Sequence, residues 1–248
     1  MKYKAIIMDV DGTAVPNAID ALPSKNVVHA IHRAQKRVRV CASTSRPIFI
    51  AKYVIRALGI VDPCGINDAT QIYDPKTETI IEMFPLSQKA TRTVSKFFQA
   101  KKIQFMYNTG ESEQWYTKGP LPDTICGLAI PDLSPTDAEA LIASMTHILN
   151  ISVHKVPSYT KGLIWIAVTS PVATKLHSVL ELTKLIHVTP EETIGIGDGY
   201  NDYPLLSACG LKIAMGNAVP ELKAIADFVA PSVEEDGVAT VIEKFILN

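Results

Sequence analysis

Short apolar runs alternate with helix-patterned stretches at both ends of this chain, and that alternation constrains the fold more than any other feature. Residues 3–10 form an apolar run closed by Gly12, the pattern of a buried parallel strand. Residues 24–37 then carry Val27, Val28, Ile31 and Ala34 at helical spacing, 38–42 are β-rich, and 47–58 read as a helix opened by proline. The alternation returns late, with helices expected over 174–186, 202–208, 220–226 and 237–247, and strands over 193–196, 211–215 and 228–230. Strands that are apolar throughout are covered on both faces, so a parallel sheet between helical layers is predicted.

The middle of the chain reads differently. Helices are expected over 87–101 and 134–150, the second starting with Ser134 three residues before Asp137 in a capping-box pattern. Strands are expected over 103–107 and 114–117 around a Thr109-Gly110 turn, with others over 124–130, 151–156 and 163–168. Helix–strand–strand, used twice, predicts an antiparallel sheet with helices on one face. The expected organisation is therefore an α/β, Rossmann-like doubly wound core of residues 1–84 plus 174–248, with an inserted α+β cap domain of residues 85–173.

Composition narrows the function. A hydrophobic share of 47% and a charged share of 20% over 248 residues describe a globular chain with a sizeable core. The net charge of −1 creates no field that would recruit nucleic acid or an anionic membrane, so any anionic partner must be held by a local site. Cys41, Cys64, Cys126 and Cys209 are scattered, without C-x-x-C spacing, and read as reduced core residues of a cytoplasmic protein. The first apolar run is broken at Asp9, too early for a signal peptide, and no stretch reaches membrane-spanning length.

Two motifs carry the chemistry. Asp9-Val10-Asp11-Gly12-Thr13 lies where the first strand ends, and ligand sites in parallel α/β sheets form beyond the carboxyl ends of strands. Residues two apart on extended backbone share a face, so both carboxylates can address one ligand. Two acids at an anion site require a cation, and an oxygen-only set suits magnesium. Taken alone, the motif also reads as an ordinary strand-to-turn junction. A calcium loop is excluded, because its glycine falls at position six and this one falls at four. The second motif, Gly197-Asp198-Gly199-Tyr200-Asn201-Asp202, follows a late strand and precedes a helix, with Asp198 as a candidate metal ligand. Asp202 alone would also suit a helix cap.

Together these motifs resemble the haloacid dehalogenase superfamily, specifically its Cof-type sugar-phosphatase group with a cap inserted between the second and third motifs. The resemblance extends to Ile213-Ala214-Met215-Gly216-Asn217-Ala218 and Glu235-Asp236-Gly237-Val238 near the end of the core. It implies Asp9 as nucleophile and metal ligand, and Asp11 as general acid/base whose carbonyl also meets the metal. It implies Thr44 as the hydroxyl holding the phosphoryl group, Lys175 as the neutralising cation and Asp198 as the second acidic ligand of Mg2+. Gly12, Ser45, Asn201 and Asp202 would support the phosphate and the metal. The chain departs from the family pattern at Ser45, Asp68 and Leu176, each standing where the family has glycine, and at Arg37, which takes a common turn glycine.

The implied activity is a magnesium-dependent phosphatase acting on a small phosphorylated metabolite, such as a sugar phosphate, through an aspartyl-phosphate. A phosphomutase is the alternative on the same chemistry. A non-catalytic scaffold would be marked by loss of Asp9, Asp11 or Asp198, and all three are present. A monomer or a homodimer is expected. The cap should choose the substrate, with Asn108, Glu111, Trp115, Tyr116 and Lys118 as candidate contacts; Trp115 and Tyr116 alternate on a strand, so one of them packs inward.

Overall fold

The computed structural model describes residues 2–248. The chain runs β1 (Ala5–Met8), α1 (Lys25–Ala34), β2 (Arg39–Ala42), α2 (Ile48–Leu58), β3 (Cys64–Ile66), β4 (Gln71–Asp74) and β5 (Thr79–Met83). It continues through α3 (Gln88–Ala100), β6 (Met106–Asn108), β7 (Glu113–Trp115), β8 (Gly127–Leu133), α4 (Pro135–Met145), β9 (Ser152–Pro157) and β10 (Ile164–Thr169). It closes with α5 (Lys175–Leu185), β11 (Thr193–Gly197), α6 (Tyr203–Ala208), β12 (Leu211–Ala214), α7 (Pro220–Ile225), β13 (Phe228–Val229) and α8 (Gly237–Ile242).

The core sheet has the order β13-β12-β11-β1-β2, and every pairing in it is parallel. β1 is buried along its whole length, as its uninterrupted apolar sequence requires. Ser24 caps α1 by accepting from the Val27 amide, and Val27, Ala30, Ile31 and Ala34 form the buried stripe. α2 starts after Pro47 and ends at Gly59, whose left-handed φ of 71° closes the helix.

Inserted between β5 and α5 is an antiparallel sheet of order β7-β6-β8-β10-β9. Helices α3 and α4 bury Val94, Phe98, Ala138 and Leu141 in a hydrophobic cluster with Leu128, Ile130 and Ile166 of the sheet, separate from the cluster around β1. Ser134 caps α4 at the Asp137 amide, as its spacing predicts. The third strand of the middle segment starts at Gly127, three residues later than the sequence pattern suggests. The Cys126 amide is held by the Asn108 carbonyl, and strand pairing begins only past it.

A third sheet, β3-β4-β5, is absent from the sequence reading. β5 is mostly exposed, and β3 has three residues, too few to show a period of two. It joins the core through a parallel bridge between Ser43 and Gly65.

No helix among the described residues is long and apolar enough to cross a membrane. Phe98, fully buried in the cap cluster, should be the most sensitive position there. Phe98→Ala is expected to lose about 3–5 kcal/mol of cap stability, read as earlier unfolding of α3 and β8 by amide hydrogen exchange.

Candidate active site

β1 and β11 are neighbours with Met8 opposite Ile196, so the residues that follow them leave the sheet side by side. The chain turns to β2 on one side of β1 and returns through β11 on the other, which places this edge at the reversal of strand order where crevices open. Asp9 and Asp198, 189 positions apart in sequence (198 − 9), therefore converge. Gly12 makes the approach sterically possible: its φ is +76°, and a Cβ there would lie 2.2 Å from Asp198 Oδ2. Thr13 Oγ1 donates to Asp198 Oδ1 at 2.9 Å, and Asn217 Nδ2 donates to the Gly12 carbonyl at 2.8 Å.

Lys175 begins α5 and is only 4% exposed, so it is not the solvated lysine its helical position would allow. Its ammonium donates to Asp9 Oδ1 and to Asp202 Oδ1. Burial alone would depress that ammonium, but Asp202 and Asp9 hold it above its ordinary value. Asp202 is buried and its other oxygen accepts from the Asp198 and Gly199 amides at 3.0 and 2.9 Å.

Asp9, Asp198 and Asp202 each offer an oxygen within 4.8 Å of the others. Burial pushes the Asp9 carboxyl well above its ordinary value; Lys175 opposes that rise, and Asp202, Asp198 and Asp11 add to it. Burial, with Asp202 next, pushes Asp198 up to about 7. Four carboxylates, counting Asp11, face two cations, Lys175 and Arg46, which leaves two negative charges to offset. An oxygen-only donor set with that deficit fits a hard divalent cation. Asp202 already accepts from Lys175 and two amides, so Asp9 and Asp198, with fewer protein donors, have more free lone pairs for a cation.

Asp11 is turned away from this cluster. Its carboxylate receives Arg46 Nε at 2.9 Å and Nη2 at 2.6 Å, a bidentate pair. Arg46 is 3% exposed and also donates to the Ala18 and Ile19 carbonyls, pinning the loop after the first motif. Sequence reading passed over Arg46, because an arginine after a strand carries no signal until its partner is known. Thr44 is buried, and its hydroxyl accepts from the Arg46 amide at 3.1 Å. The Ser45 hydroxyl accepts from Asn201 Nδ2 at 3.1 Å, linking the second motif to the last one across 156 positions. Leu176 is turned outward and crowds nothing in the cluster.

Above these groups lies a cavity of about 190 Å³, walled on the core side by Asp9, Asp11, Arg46, Asp68 and Asp198. The cap contributes Glu113 from β7, Val156 and Pro157 from β9, Ser158 and Tyr159 beyond it, and Trp165 from β10. None of the five cap candidates from the sequence lines it. Trp115 is exposed, and the Asn108 side chain accepts from Asn67 and from the Gly110 amide, tying cap to core. Which cap residues face the cavity depends on how the lid seats on the core, and periodicity within the lid does not encode that.

Four known relatives, one a family and three single proteins, are similar to this chain. The sequence profile of a family described as haloacid dehalogenase-like hydrolase matches residues 6–124 and 123–242. The Bacillus subtilis protein YkrA, provisionally named a phosphatase, is 23% identical over 262 residues and spans 98% of each chain. The fold superposes on the subclass IIB sugar phosphatase BT4131 with a TM-score of 0.78 at 19% identity, covering 98% of both chains. For BT1666 of Bacteroides thetaiotaomicron, from a study of phosphatases of the same superfamily, the TM-score is 0.84 at 18% identity over 98% of this chain and 95% of that one.

Arg46 gives this geometry a direct check. Arg46→Met leaves the partly buried Asp11 carboxylate without its partner, which is expected to lower stability by about 3 kcal/mol. The segment around Ala18 and Ile19 should lose hydrogen-exchange protection, while β1 and β11 keep theirs.

Proposed function

The chain belongs to the haloacid dehalogenase-like hydrolases, and on that premise we propose that it is a magnesium-dependent phosphatase. It would cleave a small phosphorylated metabolite, of the sugar-phosphate kind, through an aspartyl-phosphate on Asp9. The observation that carries the proposal is a buried carboxylate, Asp9, at the floor of a small cavity, ion-paired to Lys175 and set beside Asp198.

Phosphoryl transfer depends on positioning and charge neutralisation more than on covalent ingenuity. The Lys175 contact uses one Asp9 oxygen and leaves the other to attack phosphorus. As the ester oxygen leaves, Asp11 gives it a proton; Asp11 then takes a proton from the water that hydrolyses the aspartyl-phosphate. Arg46 holds the ionised Asp11 carboxylate, the form that takes the proton from water; the form that donates to the leaving group would need one arm of that pair to open. Magnesium, held by Asp9, the Asp11 carbonyl and Asp198, would supply charge neutralisation at the phosphoryl oxygens. Thr44, with its hydroxyl proton uncommitted, and Ser45 with Asn201 would hold the phosphoryl group from the second strand end. The elements around residues 85–173 serve as the lid, since the cavity lies between them and the core. Four buried free cysteines agree with a cytoplasmic site of action.

Release of inorganic phosphate from sugar phosphates with magnesium tests hydrolysis against return of the phosphoryl group to substrate; an isomerised ester without phosphate would replace this reading with a mutase. Asp9→Asn should abolish turnover while the fold persists, because Lys175 keeps Asp202. Asp11→Asn should lose about 10²–10⁴-fold on an alkyl phosphate. The loss should shrink in the first step with an activated aryl phosphate, whose leaving group needs little protonation. Equal wild-type and Asp11→Asn rates on the alkyl ester would remove Asp11 from the chemistry.

A further inference from the structure

The cavity wall beyond the phosphoryl site carries two carboxylates that the reaction does not use. Asp68 comes from the core loop after β3, and Glu113 from β7 of the cap. They sit close enough for the Asp68 charge to raise the Glu113 carboxyl, which burial first of all pushes up to about 7. Neither is ion-paired to a lysine or arginine among the described residues. Arg46, the cation among the lining residues, is committed to Asp11.

Ser45 lies near enough to Asp68, and the Asn108 side chain near enough to Glu113, to work against the rise that burial imposes on each carboxyl. A carboxylate offers about four acceptor positions, so both remain short of donors. The bases acting on Asp68 are His154 and Lys175: the His154 Nε2 is engaged by Thr169 and Ala173 and burial holds its imidazole below its ordinary value, while the Lys175 ammonium is already shared by Asp9 and Asp202. Holding two half-buried carboxylates side by side without a counter-charge is unfavourable, and Ile50, Val156 and Trp165 in the same wall offer them no polar partner.

We propose that Asp68 and Glu113 select the leaving group: the preferred substrates are phosphate monoesters bearing an amine, and esters carrying a second anion are rejected. This rests on the phosphatase reading above. An ammonium between the two acids would supply the missing counter-charge, whereas a carboxylate or second phosphate would meet like charge in a poorly solvated wall. Asp68 stands where the resemblance expects glycine, so the selection would belong to this chain and not to the fold.

The test compares kcat/KM for glucosamine 6-phosphate, glucose 6-phosphate and 6-phosphogluconate, and for the two-carbon series phosphoethanolamine, hydroxyethyl phosphate and phosphoglycolate. Assays are run with saturating magnesium at a pH above the Glu113 value of about 7. In the better-used series the amine ester should exceed the hydroxyl ester roughly tenfold, and the carboxylate ester should fall roughly tenfold below it, each step about 1.4 kcal/mol. Asp68→Asn with Glu113→Gln should flatten that ranking mainly through KM. Asparagine tolerates the left-handed backbone of position 68, φ +55°, so the change preserves the loop. Equal wild-type values within both series overturn the proposal, and so does a double variant that keeps the ranking or loses all esters by the same factor. Hydrolysis of p-nitrophenyl phosphate separates the two readings: with it, a flat ranking sinks only the selection, and without turnover of any ester both fall.

Discussion

A lysine ammonium buried between two carboxylates is tolerable only when its partners are fixed before it arrives, and much of this chain serves to fix them. Lys175 is held by Asp9 at the end of β1 and by Asp202 after β11, so the ion pair ties the first strand, the last motif and the first turn of α5 into one unit. Asp202 is itself held by the Asp198 and Gly199 amides, which leaves it no freedom to follow a moving lysine. Breaking such a group by removing one member costs more than its net contribution, because the remaining charges stay buried. The same arrangement leaves one Asp9 oxygen without a protein partner, the oxygen that the proposed attack on phosphorus would use.

That the first strand and the strand before Asp198 belong to one parallel sheet was readable because continuous apolar runs can be buried only in a sheet covered on both sides, and because Asp-x-Asp-Gly and Gly-Asp-Gly mark where such strands stop; that the two are direct neighbours was not. Asp9 and Asp198 follow from that topology. Arg46 did not, since its role depends on Asp11 and on two carbonyls that reach it through the fold of a loop. Glu113 lies on a three-residue strand and reaches the cavity only through the docking of one sheet over another, a property without local periodicity. Strands β3 to β5 were missed for a simpler reason: their exposed and three-residue members leave no pattern to count.

The loop bearing Asp68 shows what a departure from the family pattern demands of its surroundings. Asn67, Asp68 and Ala69 all have left-handed backbone, with φ of 56°, 55° and 60°. Side-chain-bearing residues there cost about 1–2 kcal/mol each, so neighbouring bonds must over-determine the turn. The Asn67 amide donates to the Arg46 carbonyl, and its own carbonyl accepts from the Thr70 amide and hydroxyl. Its side chain donates to Gln71 and to Asn108 of the cap. Arg46 thus holds the Asp11 carboxylate with its side chain and anchors the Asp68 loop with its carbonyl.

That double use of Arg46 bears on how chemistry and selection are divided. The hydrophobic clusters of core and cap are separate, so the packing beneath Asp9 does not draw on the cap's buried side chains. Asn67 and Asn108 bridge the two bodies directly beside Asp68 and Glu113. A leaving group that satisfies both acids would therefore draw Glu113, and with it β7, toward the core loop. One that repels them would work against the same bridge. On the proposed reading, selection would act through closure of the lid over the Asp9 site.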